Sequence, residues 1–136
     1  MRRRVAVITG GNAGIGRAAA RQLLERGWEV VVASRREEAG AEVVAALRGY
    51  GPVSYVRLDL ARFDSVRACA GEVVARWPRV DALINNAGTV RSRRELSADG
   101  FELTLQTNHL GHFLMTHLLR GRCWRRRQTG MAWRGW

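Results

Sequence analysis

The sequence predicts an α/β fold in which helices cover both faces of a parallel sheet. Short runs of β-branched residues alternate with amphipathic helical stretches along most of the chain, which is the pattern of repeated β-α-β units. The first of these runs leads through a glycine-rich loop into an alanine-rich helical stretch. The 136 residues are enough for one domain with a core, but few for a complete doubly wound sheet.

The predicted elements alternate regularly. We expect strands near residues 4–8, 29–34, 53–57 and 81–85, and helices near residues 15–26, 37–49 and 64–77. Gly27 and Gly49 stand where the first two helices should stop, and Pro78 follows the third helix as a breaker. Right-handed crossovers then give the strand order 3-2-1-4, with a ligand crevice outside the carboxyl ends of strands 1 and 4.

A fourth helix is expected to begin after Ser97, because its hydroxyl can cap a helix and Asp99 would lie in the first turn. Its predicted apolar face consists of Phe101, Leu105, Leu110, Phe113, Leu114 and Leu118. The regular pattern stops after Leu119. We therefore expect residues 1–119 to form a doubly wound domain that is truncated after its fourth strand and helix.

The last 17 residues differ from the rest of the chain in composition and charge. They contain six arginines and no acid, which is more than half of the net charge of +11, so the remaining chain is only mildly basic. We interpret residues 120–136 as a basic irregular tail. Because the chain lacks lysine and this segment is rich in residues with GC-rich codons, one hypothesis is a shifted reading frame or an alternative terminus. A genuine basic disordered tail is the other.

The loop between the first strand and the first helix has the composition of a phosphate cradle. It reads TGGNAGIG from Thr9 to Gly16. Glycines let the backbone turn tightly and approach a pyrophosphate, while the free N–H groups of the following helix face the anion. The predicted contacts are Gly10, Asn12, Ala13, Gly14, Ile15 and Gly16. The alternative interpretation is an ordinary strand-to-helix turn.

The end of the second strand predicts which dinucleotide the loop serves. NAD binding calls for an acid about 20 residues past the loop to hold the ribose 2′-hydroxyl, whereas a 2′-phosphate calls for a cation. Ser34, Arg35 and Arg36 occupy these positions, and the Arg35 guanidinium can form paired hydrogen bonds with a phosphate. We therefore predict a preference for NADP over NAD, with Ser34 and Arg35 at the site. The alternative for Arg35 is a solvated surface side chain.

Four motifs in order resemble those of the short-chain dehydrogenase/reductase family. The loop fits TGxxxGxG, Asp59-Leu60 follows the third strand, and Asn85-Asn86-Ala87-Gly88 follows the fourth. The segment from Ser97 to Phe113, which contains NHLGHF, is similar to the retinol-dehydrogenase-like branch. The resemblance spans residues 4 to 119 and implies a Rossmann-type dinucleotide-binding fold and an oxidoreductase that interconverts an alcohol and a carbonyl.

The resemblance also implies roles for particular residues. Asp59 and Leu60 would lie at the adenine, and Asn86, Ala87 and Gly88 beside the adenine ribose. Asn108 resembles the family's helix asparagine, which helps to hold a water in the proton relay to a catalytic lysine. The alternatives are that Asp59 caps the third helix, that the Asn-Asn-Ala-Gly segment only ties neighbouring strands together, and that Asn108 bonds locally.

The residues that the family uses for proton transfer are missing from this chain. The family employs a serine and a YxxxK motif, in which the lysine lowers the pKa of the tyrosine. This chain has no lysine, and both of its tyrosines, Tyr50 and Tyr55, precede Asn85. The resemblance implies a whole enzyme about twice as long, and we expect this chain alone to be inactive or nearly so. A non-catalytic NADP-binding fragment is the first alternative function, and nucleic-acid binding through the arginine-rich tail is a weaker one.

Several further partners and sites are expected to be absent. The apolar runs are too short for a membrane span, and two cysteines without metal spacing suit the cytoplasm. Of His109, His112 and His117, the first two share a predicted helix face, but no third ligand stands in matching register, so we predict no metal site. A small alcohol or carbonyl substrate is expected only for a full-length relative. Residues 82–84 would form an apolar sheet edge, which predicts possible self-association.

Overall fold

A computed structural model describes residues 2–123 of the chain. Within these residues, four parallel strands form one sheet in the order β3-β2-β1-β4, as the sequence predicts. The strands are β1 (Val5–Thr9), β2 (Glu29–Ser34), β3 (Val53–Arg57) and β4 (Ala82–Ile84). The predicted α/β class and strand order are confirmed.

Helices follow each of the first three strands and form the crossovers. They are α1 (Gly14–Glu25), α2 (Glu37–Leu47) and α3 (Phe63–Arg76). After β4, an irregular segment leads to a run of three helical pieces: the single turn α4 (Leu103–Leu105), a π-helical segment (Gln106–Leu110) and α5 (Gly111–Cys123). The alternation predicted from the sequence is present, and the bounds of α1 to α3 lie close to the predicted ones.

The two faces of the sheet form two hydrophobic cores, because successive side chains of a strand point to opposite faces. On one face, Ile8, Val30 and Val32 pack against α1 and α2. On the other face, strand residues pack against α3 and α5, which contribute Val66, Val73, Met115 and Leu119. Burial on both faces explains why β1 and β2 read as continuous apolar runs.

The start of the fourth helical region is not where the sequence predicts it. Glu102, not Ser97, caps α4, because its carboxylate accepts the N–H groups of Thr104 at 3.0 Å and Leu105 at 2.7 Å. These hydrogen bonds lower the pKa of Glu102. The Ser97 hydroxyl instead accepts the N–H groups of Asp99 at 3.2 Å and Phe101 at 3.3 Å, which stabilises the turn before the helix. The prediction that Ser97 caps the helix is therefore wrong.

The apolar face predicted for this region is also wrong in part. Phe101, Leu105 and Phe113 are 44%, 49% and 66% exposed, whereas Gln106 and Met115 are fully buried. A π-helical turn contains an extra residue, so it rotates the face that follows it relative to an α-helical projection. Because the π-helical segment lies in the middle of the stretch, a strict 3.6-residue period assigns residues to the wrong side.

The helix continues through Cys123, past Leu119, where the sequence pattern stops. The rest of the predicted tail, residues 124–136, lies outside the described residues. Among the described residues, the helices are too short or too polar to cross a membrane.

Asp81 fixes the amino-terminal end of the sheet. Its carboxylate accepts two hydrogen bonds from the Arg2 guanidinium, at 2.7 and 2.9 Å, and one from the backbone N–H of Val5 at 2.9 Å. Arg79 lies 3.2 Å away on the same carboxylate. The contact with Arg2 holds the pKa of Asp81 below its usual value. β1 and β4 are thereby held together at the end opposite the predicted crevice.

Candidate dinucleotide site

An open cavity of about 510 Å³ lies at the carboxyl ends of all four strands. The carboxyl ends of parallel strands share one edge of the sheet, so the segments that follow the strands meet there. Most of the predicted cofactor residues line this cavity: Gly10, Asn12, Ala13, Gly14, Ser34, Arg35, Asp59, Leu60, Asn86, Ala87 and Gly88. Ile15 and Gly16 do not line it, since Ile15 is 83% exposed and Gly16 is buried beneath the loop.

Gly10 and Gly16 allow the glycine loop to pack directly on the segment after β4. Gly10 has a φ of +66°, and a Cβ there would lie 2.9 Å from the Cα of Ala87. A Cβ on Gly16 would collide with the side-chain amide of Asn86 and lie 2.6 Å from the carbonyl oxygen of Gly10. The glycines therefore set how closely the two strand exits approach each other.

The amino terminus of α1 opens onto the cavity without an acidic partner of its own. The N-cap residue Ala13 makes no side-chain cap, and the first turn contains no acid. The first backbone N–H to bond within the helix is that of Arg17, which donates to the carbonyl of Ala13 at 3.1 Å. The preceding N–H groups are the ones that an α-helix leaves without internal acceptors. Together with the helix dipole, they suit an anion.

Gly14, the first residue of α1, has a φ of +52°, and, apart from its chain neighbours and the backbone of its own helix, no atom of the described residues lies within 4 Å of the position its Cβ would take. Gly14 is also one of the residues that line the cavity. A phosphate could therefore approach the backbone here without meeting a side chain.

Thr9 holds the segment after β4 in place. Its hydroxyl oxygen accepts the backbone N–H groups of Asn86 and Ala87, both at 3.0 Å. The side-chain amide of Asn86 donates to the carbonyl oxygens of Thr9 at 3.0 Å and Gly10 at 3.3 Å. Asn85 lies outside the cavity, and its amide donates to the Thr116 hydroxyl at 3.1 Å. Asn86 thus ties neighbouring strands together and lines the cavity as well.

The end of β2 presents a buried hydroxyl and two exposed cations to the cavity. Ser34 is 7% exposed, and its hydroxyl has no hydrogen-bond partner among the described residues. Arg35 and Arg36 follow it, line the cavity and are exposed. A buried hydroxyl without a partner is costly, so this position favours a ligand that supplies one.

Asp59 lines the cavity beyond β3 and does not cap α3. One oxygen of its carboxylate accepts the backbone N–H of Ala61 at 3.0 Å, and its own N–H donates to the Ser65 hydroxyl at 2.8 Å. The residue that precedes α3 is Arg62, which makes no side-chain cap. Asp59 is the one carboxylate among the residues that line the cavity within the described part of the chain.

Asn108 lies in the π-helical segment and contacts the loop after β4. Its side-chain oxygen accepts the backbone N–H of Thr89 at 2.8 Å, and its side-chain nitrogen donates to the Thr89 carbonyl at 2.8 Å. Its partner is thus distant in sequence, which argues against a purely local bond. Asn108 does not line the first cavity; it lines a second one, of about 490 Å³, beside Asn85 and α5.

A family model described as short chain dehydrogenase matches residues 4–131. The chain belongs to the short-chain dehydrogenase family. Membership of this family, which the glycine loop and the motifs at Asp59, Asn86 and Asn108 predict, is confirmed.

Two curated short-chain dehydrogenases of Mus musculus are similar to this chain. Retinol dehydrogenase 11 is 43% identical over 119 residues, which cover 85% of this chain and 38% of that protein. Polyprenol dehydrogenase is 46% identical over 119 residues, which cover 85% of this chain and 36% of that protein. The chain thus spans less than two fifths of the length of either relative. Their names point to different substrates, so identity in this region does not select a substrate.

A solved short-chain dehydrogenase structure supports the same fold. The Pseudomonas aeruginosa RhlG/NADP active-site complex superposes with a TM-score of 0.77 at 32% identity, covering 88% of this chain and 47% of that chain. The fold of the described residues is therefore that of this family.

Sequence reasoning missed Thr9, which holds one wall of the cavity from behind, and Arg91, which lines the cavity. The glycine motif includes Thr9 only as part of the loop, although a hydroxyl at the end of a buried strand is a candidate for binding the backbone that follows the neighbouring strand. Arg91 lines the cavity on the β4 side, whereas Arg35 and Arg36 lie on the β2 side. No motif marks Arg91. The one sequence feature that could have indicated Arg91 is its position three residues after Gly88, in a segment that is predicted to lie beside the cofactor.

The three histidines of this short-chain dehydrogenase chain line the second cavity with Asn108. Among the described residues, no group of three or more His, Cys, Asp or Glu side chains could hold a metal ion.

Proposed function

We propose that this chain binds NADP through the adenylate and pyrophosphate portion of the cofactor, in the cavity at the carboxyl ends of the strands. The observation that carries the proposal is the meeting of three features in one cavity: the open amino terminus of α1, the Ser34–Arg35 pair and the carboxylate of Asp59. Each matches a different part of an NADP molecule, and the cavity volume of about 510 Å³ is in the range of ligand sites.

The residues fit the cofactor in charge and in space. The free N–H groups at the start of α1 would receive the pyrophosphate, and Gly14, which has no side chain, would let it approach the backbone. The unpartnered Ser34 hydroxyl and the Arg35 guanidinium would bind the 2′-phosphate. Asp59 would accept the adenine amino group, with Leu60 beside the ring and Ala87 and Gly88 beside the ribose.

A preference for NADP over NAD follows from the charge of the β2 end. An NAD site needs a carboxylate there to hold the ribose 2′-hydroxyl, whereas this strand ends in a serine followed by two arginines. A related structure whose name includes NADP supports the same choice.

Hydride transfer between an alcohol and a carbonyl is the activity we propose for a longer protein that contains this region. Bound NADP would supply the hydride acceptor or donor, while proton transfer needs a general acid or base near the substrate. This chain has no lysine. Tyr55 donates to the Ser34 carbonyl at 2.8 Å, and burial raises the pKa of its phenol, which is the reverse of what proton transfer requires. We therefore propose that this chain alone binds cofactor without turnover.

The remaining expectations stay predictions. Nucleic-acid binding rests on the arginine-rich tail, residues 120–136, most of which lies outside the described residues. A cytoplasmic location and self-association through the edge of β4 also rest on the sequence.

The proposal is tested by the ratio of NADPH to NADH affinity, measured by fluorescence titration of the chain. Arg35→Glu should lower this ratio at least about tenfold, because it replaces the phosphate's partner with a like charge. Arg93→Glu makes the same charge change outside the cavity lining, so it should leave the ratio unchanged. An unchanged ratio in the Arg35→Glu chain would show that Arg35 does not bind the 2′-phosphate.

A further inference from the structure

His112 is a buried polar residue that the proposed cofactor contacts do not use. It lies in the first turn of α5 and is 6% exposed. Its Nε2 atom lies 2.8 Å from the Thr9 hydroxyl oxygen, and its Nδ1 atom lies 3.1 Å from the carbonyl oxygen of Asn108. The imidazole therefore bridges the end of β1 and the π-helical segment.

The hydrogen bonds around Thr9 specify the state of the ring. A hydroxyl has one hydrogen to donate and two lone pairs that accept. Both lone pairs are used by the N–H groups of Asn86 and Ala87, so the contact with His112 must be a donation from Thr9. Nε2 must then be the unprotonated nitrogen of the ring.

The contact between His112 Nδ1 and the Asn108 carbonyl independently indicates the same protonation state of the ring. The Asn108 carbonyl can only accept, so Nδ1 must carry a hydrogen and donate to it. A neutral imidazole with its hydrogen on Nδ1 satisfies both contacts. The other neutral tautomer and the imidazolium each place a hydrogen on Nε2, facing the Thr9 hydroxyl.

We infer that His112 is a positioning residue for the cofactor cavity: by accepting the Thr9 hydroxyl hydrogen, it leaves that oxygen free to hold the backbone of Asn86 and Ala87. The consequence for NADP rests on the function proposed above, whereas the hydrogen-bonded arrangement does not. Ala87 cannot move toward the glycine loop, because it already lies so close to Gly10 that a Cβ on Gly10 would collide with it.

Protonation of His112 would undo this arrangement. With a hydrogen on Nε2, the Thr9 oxygen would face three donors with two lone pairs. Its own hydrogen would have to turn to the Ile84 carbonyl, which is 3.5 Å away. Burial lowers the pKa of His112 below its usual 6.5, so the loss is expected on the acid side of neutrality.

Other groups near His112 have to be separated from its effect. His109, His117 and Arg120 line the same cavity and lie on the helical run itself. From the sheet side, the residues that contact His112 or share its cavity are Thr9 and Asn85, which do not titrate.

The first test is nuclear magnetic resonance of the ¹⁵N-labelled full chain, which needs no ligand. The ring nitrogen shifts of His112 should report the Nδ1–H form at neutral pH. The amide signals of Asn86 and Ala87 should move with the titration of His112. They should not move with it in the His112→Gln chain, whose side-chain oxygen can still accept from Thr9 but does not titrate. An Nε2–H form, or amide signals of Asn86 and Ala87 that ignore His112, would overturn the inference.

The second test is NADPH affinity as a function of pH. The 2′-phosphate of NADPH itself titrates at about pH 6, in every variant alike, so the readout is the affinity of the unaltered chain relative to that of His112→Gln, which should fall as the pH drops through the pKa of His112. At neutral pH, His112→Phe should bind NADPH about tenfold more weakly than the unaltered chain, the size expected for one lost hydrogen bond, and this difference should vanish once His112 is protonated. His112→Gln should restore the affinity and keep only the pH dependence of the cofactor's phosphate. His117→Gln, an exposed neighbour in the same cavity, should keep both the affinity and the pH dependence of the unaltered chain.

The two tests separate the inference from the proposed function. A chain with the expected ring form and coupled amide signals, but no NADPH binding, would overturn the proposed function and support the positioning contact. NADPH binding with the same pH dependence in the unaltered chain and in His112→Gln would support the function and overturn the role of His112.

Discussion

Gly16 lies directly beneath the side-chain amide of Asn86, with no room for a Cβ between them. That amide donates to the carbonyl oxygens of Thr9 and Gly10, so the first turn of α1 and the exits of β1 and β4 pack as one unit. Gly16 therefore affects the cavity indirectly, because it leaves the space that the Asn86 side chain occupies. Gly16 itself does not line the cavity.

Gly16→Ala is expected to destabilise the chain by about 1–3 kcal/mol, because the added methyl group forces Asn86 or the Gly10 carbonyl to move. NADPH affinity should fall with it. The measurement is urea denaturation followed by circular dichroism. Gly71→Ala is the matched control, since Gly71 lies on the exposed side of α3 with no atom near its Cβ position. That change should be neutral or stabilising by up to about 1 kcal/mol. Equal behaviour of the two variants would contradict the packing described for Gly16.

Arg91→Ala is expected to weaken NADPH binding about fivefold, because a cation is lost from the β4 side of the cavity. Arg93→Ala removes the same charge from the same loop outside the cavity lining, so it should have little effect. Isothermal titration calorimetry at two salt concentrations would separate the two, since the difference should shrink at higher salt. Equal losses in both variants would mean that only overall charge matters.

Asp81→Asn is expected to destabilise the fold by about 1–3 kcal/mol, because a carboxylate with 10% side-chain exposure loses its charge toward Arg2 and Val5. The folded-state pKa of Asp81 lies below the usual 3.8, so its contribution is present above that pH and is lost as the pH falls through the lowered pKa.

Urea denaturation from pH 3 to pH 7 measures this difference between the unaltered chain and Asp81→Asn. It should be full near neutral pH and shrink toward about pH 3. Asp64→Asn is the control, because Asp64 pairs with Arg62 at an exposed site and should matter less. A pH-independent difference for Asp81→Asn would argue that its charge has no part in stability.

Local sequence patterns were sufficient for the sheet but not for the last helical region. The β-branched runs and the glycines after them predict β1 to β4 and their order, because burial on both faces leaves little choice of arrangement. The helix after β4 differs because Gly100 adopts a φ of +84°, which ends the Ser97 turn before any helix begins. The π-helical segment then shifts the period that a sequence projection relies on.

The candidate site likewise contains residues that the sequence predicts and residues that only the structure identifies. Gly10, Arg35 and Asp59 stand at strand ends, where a motif and a topology together predict a shared edge. The positioning role of His112 could not be predicted from the sequence, because its hydrogen-bond partner Thr9 is 103 residues away and the two come into contact only in the folded chain. Arg91 belongs to no motif, so only its place in the cavity identifies it.

The central claim is that this chain recognises the adenylate half of NADP. It is tested most directly by comparing the dissociation constants of adenosine 2′,5′-bisphosphate, NADPH and NADH for the unaltered chain. We expect the bisphosphate to bind nearly as tightly as NADPH, and both to bind more tightly than NADH. Equal affinity for NADPH and NADH, or a large advantage of NADPH over the bisphosphate, would contradict the account.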